Sequence, residues 1–465
     1  MKNDSSYSNN SNKSSLSVAK HKPYPAYKES GIEWLGEVPE HWDIQKVKHA
    51  VTYAVSNVDK KTQEGEASIR LFNYTDVYNN EFLTNEMDLM VASASQGQIG
   101  NFIANVDDVL VTKDSEDWRD IAKPALVISS APDIVCGYHL ALIRPYKNRT
   151  EGKFIFRLLQ SALINQQFQI TSNGVTRYGL PKSAIGEALI TIPPIQEQKA
   201  IAAFLDRETA RIDALIQKKE RLIELLKEKR IALITYAVTK GLDPKVKMKD
   251  SGIEWLGDVP EHWEVYRLRY NIRLNPSKNA ISHLDRDTEL SFIPMDNVGV
   301  DGSLNLDTVR TISEVECGYT FFAENDVAIA KITPCFENGK GCVFHSLVGG
   351  YGFGTTELTV MRPRDMESKY LFYITISDLF RKIGEGWMQG SAGQKRVPDE
   401  FIKEFRVPVP SIKEQQAIVE KLHKLETKTD LLLDKAKNSI TLLREYRASL
   451  INAAVTGKID LRDEI

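Results

Sequence analysis

Residues Ser30–Trp42 read SGIEWLGEVPEHW, and residues Ser251–Trp263 read SGIEWLGDVPEHW. Twelve of the thirteen positions are identical, and the single change, Glu37 to Asp258, keeps the negative charge. Chance does not explain such a match, so the chain of 465 residues contains an internal repeat with a period far longer than that of a solenoid. We call this stretch the repeat motif. Its tryptophan, proline and glycine content is typical of a packed turn that leads into a strand.

Weaker similarities follow each copy of the repeat motif in the same order. VLVTK at Val109–Lys113 corresponds to VAIAK at Val327–Lys331, and LALIRP at Leu140–Pro145 corresponds to LTVMRP at Leu358–Pro363. These short β-rich runs alternate with helical stretches, so each half contains a mixed α/β region. Between the similarities the halves differ strongly. This pattern indicates one scaffold that carries two different surfaces.

A long helix is predicted at the end of each half. From Gln196 to about Thr239 there is no proline or glycine, which predicts a helix of roughly 43 residues and about 65 Å. Apolar residues at spacings of four and three predict a heptad seam in this helix and in its counterpart, which begins 217 residues later. The predicted seam consists of Ile201, Leu205, Ile212, Leu215, Leu222, Ile418, Leu422, Leu425, Leu432 and Leu443. We expect the two seams to pair in an intramolecular antiparallel coiled coil.

The predicted fold class is therefore α+β, with two mixed α/β domains separated by two long helices and related by a pseudo-twofold internal duplication. The predicted segments are a disordered tail at 1–23, a first domain at 24–195, a first helix at 196–240, a second domain at 241–410, a second helix at 411–456 and a tail at 457–465. Because AVTKGLD precedes the second repeat motif and AVTGKID ends the chain, we expect the two chain ends to lie close together.

Composition excludes several classes of protein. The net charge of −3 gives no overall basic signature, so any contact with nucleic acid must come from local patches. The four cysteines have no CxxC spacing, which argues against a zinc site or a disulfide framework. No apolar stretch is long enough for a membrane span, and we expect a cytoplasmic protein. His41 and His262 of the repeat motif invite a metal interpretation, but a packed, hydrogen-bonded histidine fits them better.

A polar loop with glycine follows the helical stretch of each mixed region: SNGVTRYG at Ser172–Gly179 and QGSAGQKR at Gln389–Arg396. Arginine suits guanine, glutamine suits adenine, and glycine allows close approach to a phosphate backbone. The lysine after a core strand of each region is a second possible phosphate contact. A solvated turn and a solvated strand end are the alternative interpretations. The predicted DNA-binding residues are Lys113, Asn173, Thr176, Arg177, Tyr178, Lys331, Gln394, Lys395 and Arg396.

Signatures of catalysis are missing from the sequence. It contains neither an amino-methyltransferase (D/N)PPY motif, nor a glycine-rich cofactor loop, nor a GxxxxGK(S/T) phosphate loop. Asp399, Glu400 and Glu404 lie close together, but without a matching upstream acid they fit the start of a helix better than a metal site. We therefore expect no catalytic residues and no metal site in this chain, and any chemistry to belong to partner proteins.

The arrangement resembles a known family. Each variable region is followed by a P-x-x-x-E-Q sequence, at Pro193–Gln198 and Pro410–Gln415, and by a long helix that ends near AVT. In this order the motifs resemble the specificity subunit of type I restriction-modification systems, usually called HsdS, over nearly the whole chain after residue 24. The resemblance implies a non-catalytic subunit whose two target recognition domains each read one half of a split, asymmetric site on double-stranded DNA.

The same resemblance implies partners and cofactors. Two methyltransferase subunits would dock on the paired helices, a restriction and motor subunit would join them, and S-adenosylmethionine, ATP and magnesium would bind to those partners and not to this chain. It places base contacts among Thr176, Arg177 and Tyr178 in the first domain and among Gln394, Lys395 and Arg396 in the second. The alternative from another functional class is a coiled-coil scaffold that assembles proteins without touching DNA.

Overall fold

The computed structural model describes residues 21–391 and 393–464. The predicted tail at 1–23 therefore lies almost entirely outside the described residues. The chain divides into two compact units, one formed by Met1–Lys219 with Lys437–Ile465 and the other by Glu220–Ala436. Each unit thus contains one copy of the repeat motif, one mixed region and part of each long helix.

The first unit has the following strands: β1 Tyr27–Glu29, β2 Glu37–Pro39, β3 Asp43–Lys46, β4 Val51–Val55, β5 Ala67–Phe72, β6 Phe82–Leu83, β7 Met90–Ala94, β8 Val109–Thr112, β9 Asp114–Ser115, β10 Pro124–Val127, β11 Ile134–Cys136, β12 Leu140–Pro145, β13 Tyr178–Gly179 and β14 Leu189–Ile192. Its helices are α1 Val47–Ala50, α2 Tyr74–Asn79, α3 Gln96–Phe102, α4 Gly152–Gln160, α5 Ala162–Thr171 and α6 Lys182–Glu187, with a 3₁₀ turn at Trp118–Asp120. The first long helix, α7, spans Ile195–Lys240 and continues into the second unit.

The second unit has the following strands: β15 Met248–Asp250, β16 Asp258–Pro260, β17 Glu264–Arg267, β18 Ile272–Leu274, β19 Glu289–Ile293, β20 Val309–Thr311, β21 Thr320–Ala323, β22 Val327–Ala330, β23 Gly341–Val343, β24 Tyr351–Gly354, β25 Leu358–Pro363 and β26 Arg406–Val409. Its helices are α8 Ile312–Val315, α9 Ser368–Ile376, α10 Asp378–Trp387 and α11 Asp399–Glu404, with 3₁₀ turns at Leu268–Tyr270, Lys278–Ile281, Met295–Asn297 and Val348–Gly350. The second long helix, α12, spans Ile412–Val455 and continues into the first unit.

Both units are mixed α/β structures, as the sequence predicts. In the first, a five-stranded sheet has the order β4-β12-β8-β10-β6 and a three-stranded sheet has the order β11-β5-β7. In the second, the two larger sheets have the orders β18-β25-β22-β23 and β20-β19-β24-β21. All four residues of β8 and of β22 are buried, which explains why these central strands read as continuous apolar runs in the sequence.

The helical stretch that precedes the polar loop of each mixed region is interrupted. Ser161 adopts an extended backbone between α4 and α5, and Ser377 does the same between α9 and α10. The Ser377 hydroxyl accepts a hydrogen bond from the Phe380 amide at the start of α10. The Ser377 side chain thus offers the backbone an alternative to a continuous helix. Ser161 makes no such cap, and its hydroxyl donates to Asn452 Oδ1 instead.

Both predicted long helices are observed, but their buried positions differ from the predicted seam. Ile201, Leu205 and Ile212 are fully buried in α7, whereas Leu215 and Leu222 are exposed. Ile216, one position after Leu215, is buried instead.

In α12, Ile418 and Leu422 are buried as predicted, whereas Leu432 is exposed and Leu433 is buried. Leu425 and Leu443 are partly buried. The buried residues in the middle of α12 are Thr429, Leu433, Ala436 and Ile440. Leu425, Thr429 and Leu433 follow one another at two successive spacings of four, which interrupts the alternation of four and three that a strict heptad requires and moves burial from position 432 to position 433.

The repeat motif forms a packed turn in each unit, as predicted. Trp42 and Trp263 are fully buried. Gly36 has a φ of 62°, a left-handed conformation that glycine adopts without strain. Among the described residues no helix is long and apolar enough to cross a membrane.

Candidate nucleic-acid interface

The first polar loop is a closed hairpin. The Asn173 amide donates to the Gly179 carbonyl at 3.0 Å, and the Gly179 amide donates to the Asn173 carbonyl at 2.8 Å. Gly174, at a φ of 149°, could not carry a side chain, because a Cβ would lie 1.9 Å from the Arg177 carbonyl oxygen. The hairpin is therefore a defined structure, and Asn173 takes part in it through its backbone.

The segment that begins at Lys113 is hydrogen-bonded to this hairpin. Tyr178 and Gly179 form β13, which pairs with β9 directly after Lys113, and the Leu180 amide donates to the Lys113 carbonyl at 2.7 Å. Two features that are 60 residues apart in the sequence, the strand-end lysine and the glycine-containing loop, thus form one surface module. We call the hairpin Asn173–Gly179, together with the segment Lys113–Ser115 that supports it, the first loop module.

Lys113 has partners inside the unit. Its Nζ atom lies 2.6 Å from Asp114 Oδ2, and the His139 Nδ1 atom lies 2.5 Å from the same oxygen. Burial raises the pKa of the Asp114 carboxyl, but its hydrogen bonds with Lys113 and His139 outweigh burial and leave this pKa below its ordinary value. The Lys113 side chain is 16% exposed. Neither Asp114 nor His139 is among the residues predicted from the sequence, and the sequence signal for Asp114 is its position next to the lysine.

The second polar loop has the same construction. The Gln389 amide donates to the Arg396 carbonyl at 3.0 Å, and the Arg396 amide donates to the Gln389 carbonyl at 2.8 Å. The Val397 amide donates to the Lys331 carbonyl at 2.8 Å, and Thr333 donates through its amide to the Lys395 carbonyl at 2.9 Å. The hairpin Gln389–Arg396 and the segment Lys331–Phe336 that supports it form the second loop module. Ala392 of this loop lies outside the described residues.

Arg396 also has a partner inside its unit. Its guanidinium donates two hydrogen bonds to the Glu357 carboxylate, with the shortest nitrogen–oxygen distance at 2.8 Å. This contact lowers the pKa of Glu357. Glu357 lies 39 residues away in the sequence, so no local pattern could have predicted the pair.

The remaining predicted side chains project from the loops. Thr176 and Arg177 in the first module, and Gln394 and Lys395 in the second, are exposed. Tyr178 and Lys331 are partly buried. In the part of the chain that the structure describes, these loops therefore offer one arginine and one lysine at their tips, with a hydroxyl and an amide beside them. Such groups can donate to phosphates and to base edges.

The repeat motif is bound to the start of a long helix in each unit. In the first unit the Glu197 carboxylate accepts hydrogen bonds from the Tyr24 hydroxyl and from Trp42 Nε1, the latter at 3.0 Å, and His41 Nε2 lies 2.9 Å from it. Burial and the hydrogen bond to Glu197 raise the pKa of the Tyr24 phenol. His41 is thus hydrogen-bonded, but its side chain is 40% exposed and is not packed as the sequence predicts.

The equivalent carboxylate in the second unit has fewer partners. His262 Nε2 lies 3.0 Å from Glu414 Oε2, but the buried Trp263 Nε1 atom has no hydrogen-bond partner within the described residues. The Glu414 side chain is 30% exposed, whereas that of Glu197 is 5% exposed.

The glutamine of each P-x-x-x-E-Q sequence ties its helix to the preceding chain. Gln198 donates to the Pro193 carbonyl and accepts from the Glu151 amide, at 2.8 and 2.9 Å. Gln415 accepts from the Glu367 amide at 2.8 Å in the same way. The motif is therefore a structural connection between each mixed region and its helix.

Within each unit, an ion pair joins the two long helices. In the first unit Arg447 of α12 lies 3.0 Å from Asp213 of α7 and donates to Glu81 of the mixed region at 2.7 Å. In the second unit Arg230 of α7 pairs with Asp430 of α12.

The carboxylates considered as metal ligands have other partners. Glu404 pairs with Arg267 at 3.2 Å and with Arg269, while Asp399 accepts from the Asn275 amide group at 3.1 Å. Glu400 stands in the first turn of α11. Across residues 21–391 and 393–464 no group of three or more histidine, cysteine, aspartate or glutamate side chains could hold a metal ion.

Comparison with known proteins gives a family match in both halves. The family model described as "Type I restriction modification DNA specificity domain" matches residues 51–225 and 260–442. The specificity subunits of the type I restriction enzymes EcoEI and EcoAI from Escherichia coli are 38% and 41% identical over 198 residues, which is 42% of this chain. These matches span only 33% of each relative's own length.

Other relatives match over nearly their whole length. The putative MjaX specificity subunit of Methanocaldococcus jannaschii is 21% identical over 94% of this chain and 98% of its own. Two solved structures share the fold at 15% and 14% identity: the HsdS subunit from Thermoanaerobacter tengcongensis, with a TM-score of 0.53, and a chain from a study of complex assembly and conformational transition of the type I R-M system, with a TM-score of 0.63. They cover 91% and 90% of this chain and 98% of their own.

Proposed function

Because the chain belongs to the family of type I restriction-modification DNA specificity subunits, we propose that it reads a bipartite, asymmetric site on double-stranded DNA, with one loop module for each half-site. The observation that carries the proposal is the shared construction of the two modules. In each, a closed hairpin is hydrogen-bonded to the segment that follows a core strand. The backbone connections are alike, while the exposed side chains differ.

The exposed side chains divide into two groups with different expected roles. Arg177 and Lys395 have no ion-pair partner within the described residues, so they are available to phosphates or base edges. Lys113 and Arg396 are held by acids of their own unit. We therefore assign DNA contact first to the tips of the two hairpins, and we assign Lys113 and Arg396 to the shape of the modules.

The long helices would form an antiparallel coiled coil that docks two methyltransferase subunits. The ion pairs of Arg447 with Asp213 and of Arg230 with Asp430 support the antiparallel order. The matching contacts of Gln198 and Gln415 support an internal duplication, and with it two near-equivalent docking sites. A restriction and motor subunit would join this complex. S-adenosylmethionine, ATP and magnesium would bind to the partner subunits, and this chain would be non-catalytic.

The proposal is tested with the chain in complex with its cognate methyltransferase subunits. Sequencing of modified adenines in DNA treated with the complex should reveal a split site with an unmodified spacer. Arg177→Ala should change the sequence preference in one half-site only, and Lys395→Ala in the other only. A complex that assembles but binds no duplex specifically would refute the proposal and leave a protein-assembly scaffold as the better function.

A further inference from the structure

Arg381 is buried beneath the second loop module. It lies on α10 and is 6% exposed. Its Nη1 atom donates to the Phe336 carbonyl at 2.5 Å, and the guanidinium carbon lies 4.7 Å from the centre of the Phe336 ring. Arg381 thus holds Phe336 through both its backbone and its ring.

Phe336 belongs to the segment that supports the second hairpin. Five residues earlier, the Lys331 carbonyl accepts the Val397 amide, and Thr333 donates to the Lys395 carbonyl through its amide and its hydroxyl, at 2.9 and 3.1 Å. A continuous set of contacts therefore leads from Arg381 through Phe336 to the backbone of Lys395, which directly precedes the residue that closes the hairpin.

The first unit has a side chain in the equivalent place. Asn165 is the fourth residue of α5, as Arg381 is the fourth residue of α10. Its amide nitrogen donates to the carbonyls of Ile121 and Ala122 at 3.1 and 3.3 Å, in the chain that follows β9. Each unit therefore uses the helix before its hairpin to hold the segment that supports the hairpin.

Asn165 and Arg381 differ in how many of their buried polar atoms have hydrogen-bond partners. The Nε and Nη2 atoms of Arg381 are buried and have no hydrogen-bond partner within the described residues, and neither has the Oε2 atom of Glu337. Burial lowers the pKa of Arg381 to about 9, although the charges of Glu337 and Glu385 act in the opposite direction. An apolar side chain would fill this place at lower cost. Positions where a sequence breaks such a rule are expected to serve function.

We propose that Arg381 is a positioning residue for the second recognition hairpin: it sets which bases the hairpin reads without touching DNA itself. The inference rests on the proposed function. It predicts an effect confined to one half-site, because the contact of Arg381 with Phe336 leads to the segment that supports the hairpin Gln389–Arg396 of the same unit. Substitution of Arg381 should not lower the free energy of unfolding, because it removes a buried, incompletely paired charge.

The test uses Arg381→Met in the full chain with its methyltransferase subunits. Binding is measured on three duplexes: the intact site, the site with the first half-site altered and the site with the second half-site altered. We expect at least a tenfold loss of discrimination at the second half-site, unchanged discrimination at the first and an unchanged or raised thermal midpoint. Asn165→Leu is the matched control and should affect the first half-site only.

Three outcomes distinguish the possibilities. Equal losses at both half-sites, or no loss at either, would overturn the role of Arg381 while the proposed function stands. Wild-type complex without specific binding would instead refute the proposed function. If Arg381→Met does not fold, Arg381→Lys provides the same comparison, because it keeps the charge and loses the planar contact with Phe336.

Discussion

Replacing Glu197 with alanine should destabilise the first unit far more than replacing Glu414 destabilises the second. Glu197 accepts hydrogen bonds from the buried Tyr24 hydroxyl and the buried Trp42 indole. Its removal leaves both donors without a partner, at about 1–3 kcal/mol each, so we expect a loss of about 2–6 kcal/mol in the free energy of unfolding. For a unit of about 250 residues this lowers the thermal midpoint by at least about 4 °C.

Glu414 provides the matched control, because the substitution removes the same atoms. The Trp263 indole nitrogen already lacks a partner, and His262 is 55% exposed, so little further is lost. We expect about 0–1 kcal/mol for Glu414→Ala, the usual range for an exposed pair.

Calorimetry would measure the midpoints, and hydrogen–deuterium exchange of peptides that span the two copies of the repeat motif would locate the loss. Because the chain has two units, exchange is needed to assign each transition. Equal shifts for Glu197→Ala and Glu414→Ala, or a larger shift for the second, would show that the buried donors do not account for the stability of this site.

Three further predictions concern charged groups of the first unit. Arg447→Met removes the contacts with Glu81 and Asp213 and should cost up to about 1 kcal/mol for each, a difference from wild type that shrinks in high salt; a salt-independent difference would contradict the role of charge. Arg177→Ala should reduce the slope of log affinity against log salt by about 1, measured by titration of a specific duplex, and an unchanged slope would argue against a phosphate contact. Asp114→Asn removes a carboxyl with a lowered pKa, whose stabilising contribution is present above the ordinary pKa of 3.8 and is lost as the pH falls through the lower folded value. Denaturation at several pH values should therefore show the variant less stable at neutral pH and the gap closing below pH 3.8, whereas a constant gap would contradict the pairing with Lys113.

The elements that local sequence patterns specify were predictable. Buried strands such as Val109–Thr112 read as apolar runs, and the proline- and glycine-free stretch after Pro194 became the first long helix. The seam was less accurate, because leucine at 215 and 222 satisfies a heptad pattern while the observed helix buries Ile216. The spacing of apolar residues in the sequence does not determine which of two adjacent residues a helix turns toward its partner.

The contacts that shape the candidate site could not be read from the sequence. Lys113 and Arg396 have the residue types of DNA contacts, yet Asp114 with His139 and Glu357 hold them inside their units. His139 and Glu357 are brought to these groups by folding, from 25 and 39 residues away in the sequence. The sequence did place the two hairpins, because glycine and polar residues after a helix indicate a turn, but not which of their side chains remain available.

The division of the chain has a consequence for its synthesis. Along the sequence, the second unit interrupts the first, since Glu220–Ala436 lies between the two parts of the first unit. Lys458, from the second part of the first unit, donates a hydrogen bond to the Leu35 carbonyl in the first copy of the repeat motif. A ribosome therefore releases every residue of the second unit before the first unit is complete. The unit that begins first must finish folding last, which reverses the usual order of domain folding during translation.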